Sequence, residues 1–402
     1  MKFDVFCEIQ RAFPWAKGQD EASLFAEIIE QAKAAEAAGF EIWWQVEHHG
    51  APQFSYSAAP ELVLTAIALA TKTLRVGHAG VLAPFRINHP LRVAERAATL
   101  DILSGGRFEL GLAKSGGKEW ETFGVDAETA REQVREAMHM IPKMWTDPEF
   151  SWNTSNMQIP ERDVVPKPLQ KPHPRLWQTC GSPESFYMAG NMGAGALGTT
   201  LLSPVEFLGR MLVEHRRGLA DLTDQAGDIV NRENAVFTFV HVADSRADAI
   251  RNGAAWSALW YVNAAPQVFK VPRRIWYDMI KAGLHPHSAR DTAAVAALDP
   301  HETEIMPDDP AVVVMLKRMA QGAEISFEEA HEELEKLDCV IIGDPDHCRK
   351  KLMKYVEIGA DRLMAMMQYG AVPHAAVLRS FRLAGEHLRP AFSGIEAKVP
   401  AE

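Results

Sequence analysis

Two adjacent histidines preceded by a glutamate are the residues of this sequence best suited to acid–base chemistry. Glu47, His48 and His49 directly follow an apolar run at 41–46 that predicts a β-strand. Neighbouring side chains at a strand end point to opposite sides, so the two histidines are poor joint ligands for one metal ion. A histidine there can donate a hydrogen bond or exchange a proton near neutral pH. The pattern predicts one functional and one structural histidine, with a simply packed pair as the alternative.

A turn rich in glycine and serine is suited to binding an anion. The segment TCGSPES at 179–185 ends a predicted strand, turns at Gly181 and Ser182, and places a proline at the first position of a helix. Free N–H groups at a helix N-terminus, with the hydroxyls of Ser182 and Ser185, suit a phosphate. Lys114, at the end of another predicted strand, could reach the same phosphate. The alternative is an ordinary serine-capped helix start.

Three familiar motifs lack the context that their chemistry needs. GAGALG at 193–198 matches G-x-G-x-x-G, but a helical stretch precedes it and its glycines lie in a predicted strand, which argues against a dinucleotide site. The segment 111–118 resembles a phosphate-binding P-loop with the wrong spacing, and Glu119 stands where Ser or Thr should hold magnesium. We assign the E-x-x-H pair Glu328 and His331 to a solvated helix face.

Composition and charge argue against several classes of function. The 402 residues carry a formal charge of −11 that is spread along the chain, without a basic run that would bind nucleic acid. No charged-then-apolar leader opens the sequence and no apolar stretch is long enough to span a membrane, so we expect no membrane association and no secretion. The four cysteines form no C-x-x-C pair, which fits reduced thiols in the cytoplasm.

Short apolar runs alternate with amphipathic helical stretches, a pattern typical of βα units around a parallel sheet. The strand candidates are 3–9, 41–46, 74–80, 107–113, 175–179, 194–199, 235–242 and 361–368. Eight parallel strands close a barrel, and barrel enzymes carry their active sites at the carboxyl ends of the strands. The sequence therefore predicts one α/β domain over residues 1–402, a (β/α)₈ TIM barrel with a helical insertion at about 244–340.

Long connections at 10–20, 114–174 and 244–340 interrupt this rhythm and predict lids or packing insertions. The stretch 251–280 is too aromatic for a solvated linker. Its large aromatic residues are Trp256, Trp260, Tyr261, Phe269, Trp276 and Tyr277. Two interpretations stay open, a helical hairpin packed on the barrel wall and a lid over the substrate.

Several pieces in a fixed order resemble the bacterial-luciferase-like family of flavin-dependent monooxygenases. These pieces are GFEIWWQVEHH, LRVGHAGVLAPFRINHPLRVAERAATLDILSGGRFELGLAKSG and TCGSPES, and the resemblance covers most of 1–200 and returns at 340–390. It implies a TIM barrel, usually dimeric, that takes reduced FMN from a separate flavin reductase. It also implies that dioxygen forms a flavin 4a-peroxide that oxygenates a small organic substrate, while the protein positions the reactants and excludes water.

The resemblance also implies roles for residues near the flavin ring. His48 takes the place of the family's catalytic histidine, which acts in proton transfer, and His49 takes the adjacent structural place. Ala79 and Gly80 fall where the family has a non-proline cis peptide beneath the ring. Ala113 stands where luciferase has a reactive cysteine, so light emission is not what the resemblance implies.

For the FMN phosphate, the resemblance implies a second group of residues. Lys114 takes the place of an arginine and keeps a positive charge without the bidentate fork. Cys180, Gly181, Ser182 and Ser185 fall on the family's phosphate-binding turn.

Alternative functions remain open from the residues alone. The same architecture serves oxidoreductases that transfer a hydride with a deazaflavin or flavin and need no oxygen, and it could also serve a non-catalytic flavin-binding barrel. A metal-dependent barrel hydrolase would need H-x-H after the first strand, where this chain has Glu8, Ile9 and Gln10. We therefore expect no metal site. The insertion at 244–340 carries no motif that names a substrate.

Overall fold

The computed structural model describes residues 1–283 and 302–395. Its strands are β1 (Lys2–Cys7), β2 (Ile42–Gln45), β3 (Arg75–Leu82), β4 (Phe108–Ala113), β5 (Phe150–Asn153), β6 (Gln158–Arg162), β7 (Leu176–Thr179), β8 (Gly195–Thr199), β9 (Asn234–Val242), β10 (Ile341–Gly343) and β11 (Arg362–Met366). Its helices are α1 (Glu21–Ala37), α2 (Pro60–Ala70), α3 (Pro90–Leu103), α4 (Gly117–Phe123), α5 (Ala127–Thr146), α6 (Pro183–Asn191), α7 (Val205–Asp221), α8 (Arg246–Arg251), α9 (Ala254–Phe269), α10 (Arg273–Lys281), α11 (Ala311–Ala320), α12 (Phe327–Leu334), α13 (Pro345–Glu357), α14 (His374–Leu383) and α15 (Arg389–Phe392). A π-helical segment, Ala384–Leu388, joins the last two helices.

Eight parallel strands close into a barrel in the order β1-β2-β3-β4-β7-β8-β9-β11, because β9 pairs with β8 and β11 returns to β1. The predicted (β/α)₈ fold is confirmed, and the predicted strands match the barrel strands with ends that differ by at most two residues. The predictions miss the antiparallel β5–β6 hairpin and the short β10, which pairs with the carboxyl end of β9. They also miss α5, which lies within the connection 114–174 and packs against α3.

Local sequence explains how the barrel begins. The side chain of Asp20 accepts a hydrogen bond from the backbone N–H of Ser23, and the hydroxyl oxygen of Ser23 accepts one from the backbone N–H of Asp20, so the predicted N-cap opens α1 with a capping box. Leu24, Ile28 and Ala32 recur at helical spacing and are fully buried against the barrel wall. The helix thus returns the chain from β1 to β2.

A buried ion pair closes the amino-terminal end of the barrel, opposite to the end that would carry an active site. Arg362 on β11 donates two hydrogen bonds to Asp4 on β1, at 2.7 and 2.8 Å, and further ones to Glu41 and Glu233 at the rim. The indole of Trp44 donates to the same aspartate at 3.0 Å. Such a network is stable only while every charge keeps its partner.

The segment after β9 forms helices that pack on the barrel. Helix α9 packs against α11 and α12, and its Tyr261 is buried on top of the barrel interior. The prediction that Glu328 and His331 share a solvated helix face is wrong for the histidine. Glu328 is exposed, but His331 is only 2% exposed, and this burial lowers the pKa of His331. Residues 284–301 of the predicted insertion lie outside the described residues.

Two buried histidines make the free energy of unfolding depend on pH. Burial lowers the pKa of both His215 and His241 to about 4, well below the value of 6.5 that a histidine has in an unfolded chain. The unfolded chain therefore binds more protons between these values, so this stability is complete above about pH 6.5 and is lost as the pH falls towards 4. We expect the free energy of unfolding to drop by about 2 kcal/mol for each histidine between about pH 7 and pH 5.

Urea unfolding at the two pH values checks this expectation. The variant His241→Gln keeps an acceptor for the amide of Asn252, which lies 3.0 Å from Nε2, but cannot titrate. Its unfolding free energy should change less between the two pH values than that of the unmodified protein. Equal changes in both proteins would contradict the assignment.

Candidate active site

An open cavity of about 1220 Å³, which includes the solvent at its mouth, lies at the carboxyl ends of the barrel strands. Every residue that the sequence analysis assigns to catalysis or cofactor binding lines this cavity. These residues are His48, Ala79, Gly80, Lys114, Cys180, Gly181, Ser182 and Ser185. They come from four separate strand ends, and closure of the barrel brings them together.

His48 lies between two carboxylates that other elements supply. Its Nδ1 is 3.0 Å from Oε1 of Glu119, at the start of α4, and its Nε2 is 3.6 Å from Oε2 of Glu8, which follows β1. Oε1 of Glu8 accepts a hydrogen bond from the hydroxyl of Tyr261 on α9 at 3.1 Å. The histidine is therefore held by the barrel, by α4 and by the segment after β9.

Glu119 is a buried carboxylate that several donors stabilise. Burial alone would raise the pKa of Glu119, but the charge and hydrogen bond of His48, the hydroxyl of Ser115 and the backbone N–H of His49 together lower it. The N–H of His49 donates to the same oxygen as His48, at 3.0 Å. We conclude that Glu119 is ionised at neutral pH and acts only as a hydrogen-bond acceptor.

His49 points away from the cavity and anchors the strand end. Its Nε2 lies 3.1 Å from Oε1 of Glu47, and this hydrogen bond raises the pKa of His49. Glu47 also accepts hydrogen bonds from the backbone N–H of Leu82 and the side chain of Asn88, both at 2.9 Å. This network ties the carboxyl end of β2 to that of β3. The division into a cavity-facing and a packed histidine agrees with the alternation that the sequence predicts.

The turn at the start of α6 concentrates N–H donors. The N–H groups of Gly181 and Ser182 both point at the hydroxyl oxygen of Ser185, at 3.1 and 3.0 Å, and this hydroxyl donates to the carbonyl of Ser182 at 2.7 Å. The expectation that these N–H groups stay free is therefore wrong, because the serine at the third helical position reaches back in a capping box. Cys180 also makes hydrogen bonds within the chain. Its N–H donates to the carbonyl of Leu197, and its thiol lies within hydrogen-bond distance of the carbonyls of Gln178 and Ser185.

Two cationic side chains line the cavity. Lys114 follows β4, and its Nζ lies 5.4 Å from the centre of the Trp120 ring. Arg131 reaches the cavity from α5. Together with the amino end of α6, they make this region attractive to an anion.

β3 and β4 approach closely beside the cavity. The Ala79–Gly80 peptide bond is cis, and the pairing register of the two strands shifts between His78 and Val81. A Cβ atom on Gly80 would lie 2.8 Å from the backbone of Gly111, so only glycine fits there. The cis peptide occurs at the position that the family resemblance implies.

The remaining cavity wall contains aromatic, aliphatic and polar residues. Its aromatic residues are Phe6, Phe237, Tyr261 and Phe269. Ring centres of His48 and Phe269 are 5.8 Å apart, which places the end of α9 beside the histidine. Within residues 1–283 and 302–395, Oε1 of Gln178 and Oγ1 of Thr199 are buried cavity-lining atoms without a hydrogen-bond partner. Such atoms mark positions where a polar ligand can bind.

Sequence reasoning missed several cavity residues, namely Glu8, Glu119, Arg131, Gln178 and Thr199. Glu8 and Gln178 carry a usable signal, because polar residues at the ends of apolar strands point to a barrel site. Glu119 and Arg131 lie on helices and have no such signal. Among the described residues, no group of His, Cys, Asp and Glu side chains could hold a metal ion, and no helix is long and apolar enough to cross a membrane.

The fold and this cavity define a (β/α)₈-barrel protein with a ligand site at the carboxyl ends of its strands. The family description "luciferase-like monooxygenase" matches residues 1–362. The chain belongs to the luciferase-like monooxygenase family.

Named relatives agree with this assignment. The chain is 32% identical over 253 residues to the oxygenase component of a flavin-dependent trigonelline monooxygenase from Acinetobacter baylyi, a match that covers 62% of this chain and 67% of that protein. It is 28% identical over 243 residues, 58% of this chain and 63% of the relative, to a 4-hydroxyprotoasukamycin monooxygenase from Streptomyces nodosus subsp. asukaensis. The matches span about half to two thirds of the curated relatives' own length.

Solved structures share the fold over almost the whole chain. A monooxygenase from Streptomyces bottropensis superposes with a TM-score of 0.73 at 19% identity, covering 98% of this chain and 100% of its own. The oxygenating constituent of 3,6-diketocamphane monooxygenase from Pseudomonas putida, solved with FMN, gives 0.70 at 16% identity with both chains fully covered. A coenzyme F420-dependent tetrahydromethanopterin reductase from Methanopyrus kandleri gives 0.67 at 19% identity, covering 98% and 99%. At these identities the similarity shows the fold alone.

Proposed function

We propose that this protein is an FMN-dependent monooxygenase, the oxygenase component of a two-component system. It takes reduced FMN from a separate flavin reductase and uses dioxygen to oxygenate a small organic substrate. The observation that carries the proposal is that one cavity is lined both by the turn at the amino end of α6, with Lys114 and Arg131, and by a histidine flanked by carboxylates. The relatives that share the family are named as flavin-dependent or monooxygenase proteins, which supports the same assignment.

The anionic end of FMN fits the amino end of α6. The N–H groups of Gly181 and Ser182 already converge on one oxygen atom, that of Ser185, and phosphate oxygens accept from the same kind of donor pair. Lys114 and Arg131 supply positive charge to the same cavity. Cys180 contributes the shape of the turn, since its own hydrogens are engaged by the chain.

The ring end of FMN fits the apolar and glycine-containing wall of β3. Ala79 and Gly80 leave a flat surface without large side chains, and Gln178 and Thr199 offer the unpartnered polar atoms that a heteroaromatic ring can engage. Bound there, reduced FMN supplies the electrons that activate dioxygen.

The protein's own contribution is positioning, proton exchange and exclusion of water. His48 lines the cavity and can give or take a proton at Nε2. Phe269 and Tyr261, from the segment after β9, cover the histidine with aromatic surface and reduce solvent access. We therefore favour the lid interpretation for α9. This helix lies in the predicted insertion of the single domain that we propose for residues 1–402.

Anaerobic titration of the purified protein with reduced FMN, followed by a pulse of oxygenated buffer, tests the proposal. We expect saturable binding and a transient absorbance change that precedes the spectrum of oxidised FMN. Binding without a transient would favour hydride transfer or a non-catalytic flavin-binding barrel. Preferential binding of a reduced deazaflavin would overturn the choice of cofactor, and the F420-dependent structural neighbour makes that comparison necessary.

A charge placed on the turn should weaken FMN binding. In Ser185→Asp, the new carboxylate lies where the Gly181 and Ser182 N–H groups converge, so it accepts their hydrogen bonds and repels a phosphate. We expect the Kd for reduced FMN to rise about 10-fold or more, since like charges at about 4 Å repel by on the order of 1–4 kcal/mol. Ser326→Asp, at the exposed N-cap of α12, adds the same charge elsewhere and should leave the Kd unchanged. An unaltered Kd in Ser185→Asp would place the phosphate elsewhere.

We further propose that two copies associate through α2 and α3 and that the protein works in the cytoplasm. Leu62 and Leu69 lie two turns apart on α2 and are 70% and 69% exposed, and Ile102 and Leu103 at the end of α3 are also exposed. An apolar face of this kind favours self-association. Sedimentation of Leu62→Glu/Leu69→Glu should show a shift from dimer to monomer, whereas a monomeric unmodified protein would exclude this interface.

The proposed cytoplasmic location rests on the cysteines. All four cysteines are buried and free, as expected for a reducing compartment.

A further inference from the structure

The two ring nitrogens of His48 have different surroundings. Nδ1 is within hydrogen-bond distance of Oε1 of Glu119, at 3.0 Å. Nε2 faces Oε2 of Glu8 at 3.6 Å, which is too long for a strong hydrogen bond. The ring is therefore held more tightly at Nδ1 than at Nε2, and both carboxylates line the cavity.

Glu119 is built to hold a proton on Nδ1. It is only 2% exposed, its Oε2 accepts from the hydroxyl of Ser115, and its Oε1 accepts from the backbone N–H of His49 as well as from His48. An ionised carboxylate can only accept hydrogen bonds, so Nδ1 must be the donor. A neutral His48 then carries its hydrogen on Nδ1 and has its lone pair on Nε2.

We propose that Glu119 is a positioning residue that confines proton exchange by His48 to Nε2, the nitrogen next to Glu8. When the imidazolium gives up a proton, the N–H bond at Nε2 breaks, the proton passes to an acceptor in the cavity, and the other hydrogen stays bonded to Nδ1, from which it is donated to Glu119. The inference rests on the proposed function only in taking His48 as the acid–base group. A carboxylate that accepts a hydrogen bond from one ring nitrogen fixes both the tautomer and the orientation of a histidine.

The position of Glu119 depends on a contact with the segment after β9. Gly117, with φ +58°, begins α4, and a Cβ atom there would lie 2.5 Å from the backbone of Phe269. Lys270, just beyond α9, forms an ion pair with Glu121 on α4. The end of α9 therefore packs directly on the short helix that carries the carboxylate. This packing explains why Glu119 reaches His48 although the two are 71 residues apart.

Nitrogen-15 NMR of the histidine side chains, recorded on the flavin-free protein at a pH where His48 is neutral, tests the inference without turnover. The chain has 15 histidines, so His48 is identified by the signals that His48→Gln removes. In the unmodified protein we expect the Nδ1–H form. In Glu119→Gln, which has nearly the same shape but can donate to Nδ1, the Nε2–H form should become populated. Glu128→Gln removes an exposed carboxylate from the next helix and should leave the Nδ1–H form intact.

Turnover gives an independent readout. We expect Glu119→Gln to lower kcat by about 10- to 100-fold, the loss typical of removing a group that orients a functional histidine, with the Kd for FMN unchanged. An Nε2–H form in the unmodified protein, or the same Nδ1–H form in Glu119→Gln, would overturn the inference. A protein that shows the predicted tautomers but neither binds FMN nor consumes oxygen would instead overturn the proposed function.

Discussion

Replacing His48 by alanine is expected to lower the rate of substrate oxygenation by about 10²- to 10⁴-fold, the contribution of a well-placed acid or base. The reason lies in its position, because His48 lines the cavity and Glu119 holds its Nδ1. FMN affinity should be retained, since the turn that we propose to bind the phosphate belongs to a different strand end. Product formation per reduced FMN and the Kd for FMN, measured on the same preparation, separate the two effects.

A matched control for this substitution is His387→Ala. Its side chain is 50% exposed and lies near the carboxyl end of the chain, outside the cavity. Both variants remove an imidazole, but only the first removes one that a substrate can contact. Unchanged product formation in His48→Ala would remove the histidine from the mechanism, and an equal loss of FMN binding would show that its role is to hold the cofactor.

Replacing Arg362 by methionine is expected to destabilise the protein by about 3–5 kcal/mol, the effect of breaking a buried ion pair by removing one partner. The side chain of Arg362 is 2% exposed, and that of Asp4, which receives two of its hydrogen bonds, is fully buried. Methionine fills much of the same volume but leaves the carboxylate without its counter-charge. The free energy of unfolding in urea measures the loss.

Two further variants show whether uncompensated charge causes this loss. Asp4→Asn in the Arg362→Met background removes the stranded charge and should restore part of the stability, so the two substitutions will not be additive. Arg349→Met breaks only an exposed ion pair with Asp346 on α13 and should change stability by less than about 1 kcal/mol. Equal losses in Arg362→Met and Arg349→Met would contradict a special role for the buried pair.

Local patterns were sufficient to predict the barrel strands and the first part of the site. Apolar runs of strand length alternate with amphipathic helices, so the eight barrel strands could be assigned from periodicity alone. The turn at 179–185 contains the residues that cap α6. The arrangement of its backbone N–H groups is therefore set by the local sequence. Short-range signals of this kind depend little on the rest of the chain. The prediction still erred over Ser185, whose hydroxyl engages the N–H groups that were expected to be free.

Prediction failed where a residue's partner lies far along the chain. The local sequence shows Glu119 only as a residue that does not fit a P-loop, whereas in the folded protein it accepts a hydrogen bond from His48. The spacing of Glu328 and His331 predicts a solvated helix face, but the structure buries the histidine. In both cases the local pattern does not reveal the neighbours that surround the side chain.

The sequence by itself determined that this chain forms a (β/α)₈ barrel of the luciferase-like family, with polar residues at the ends of its strands. Periodicity and capping act over a few residues, so they are written locally in the chain. Only the tertiary structure decided which charges meet. The contact between Tyr261 and Glu8 joins residues 253 positions apart, and the pair of Arg362 with Asp4 joins residues 358 positions apart. Such contacts arise from the closure of the barrel and the packing of α9 and α4 over its mouth, which no short segment encodes.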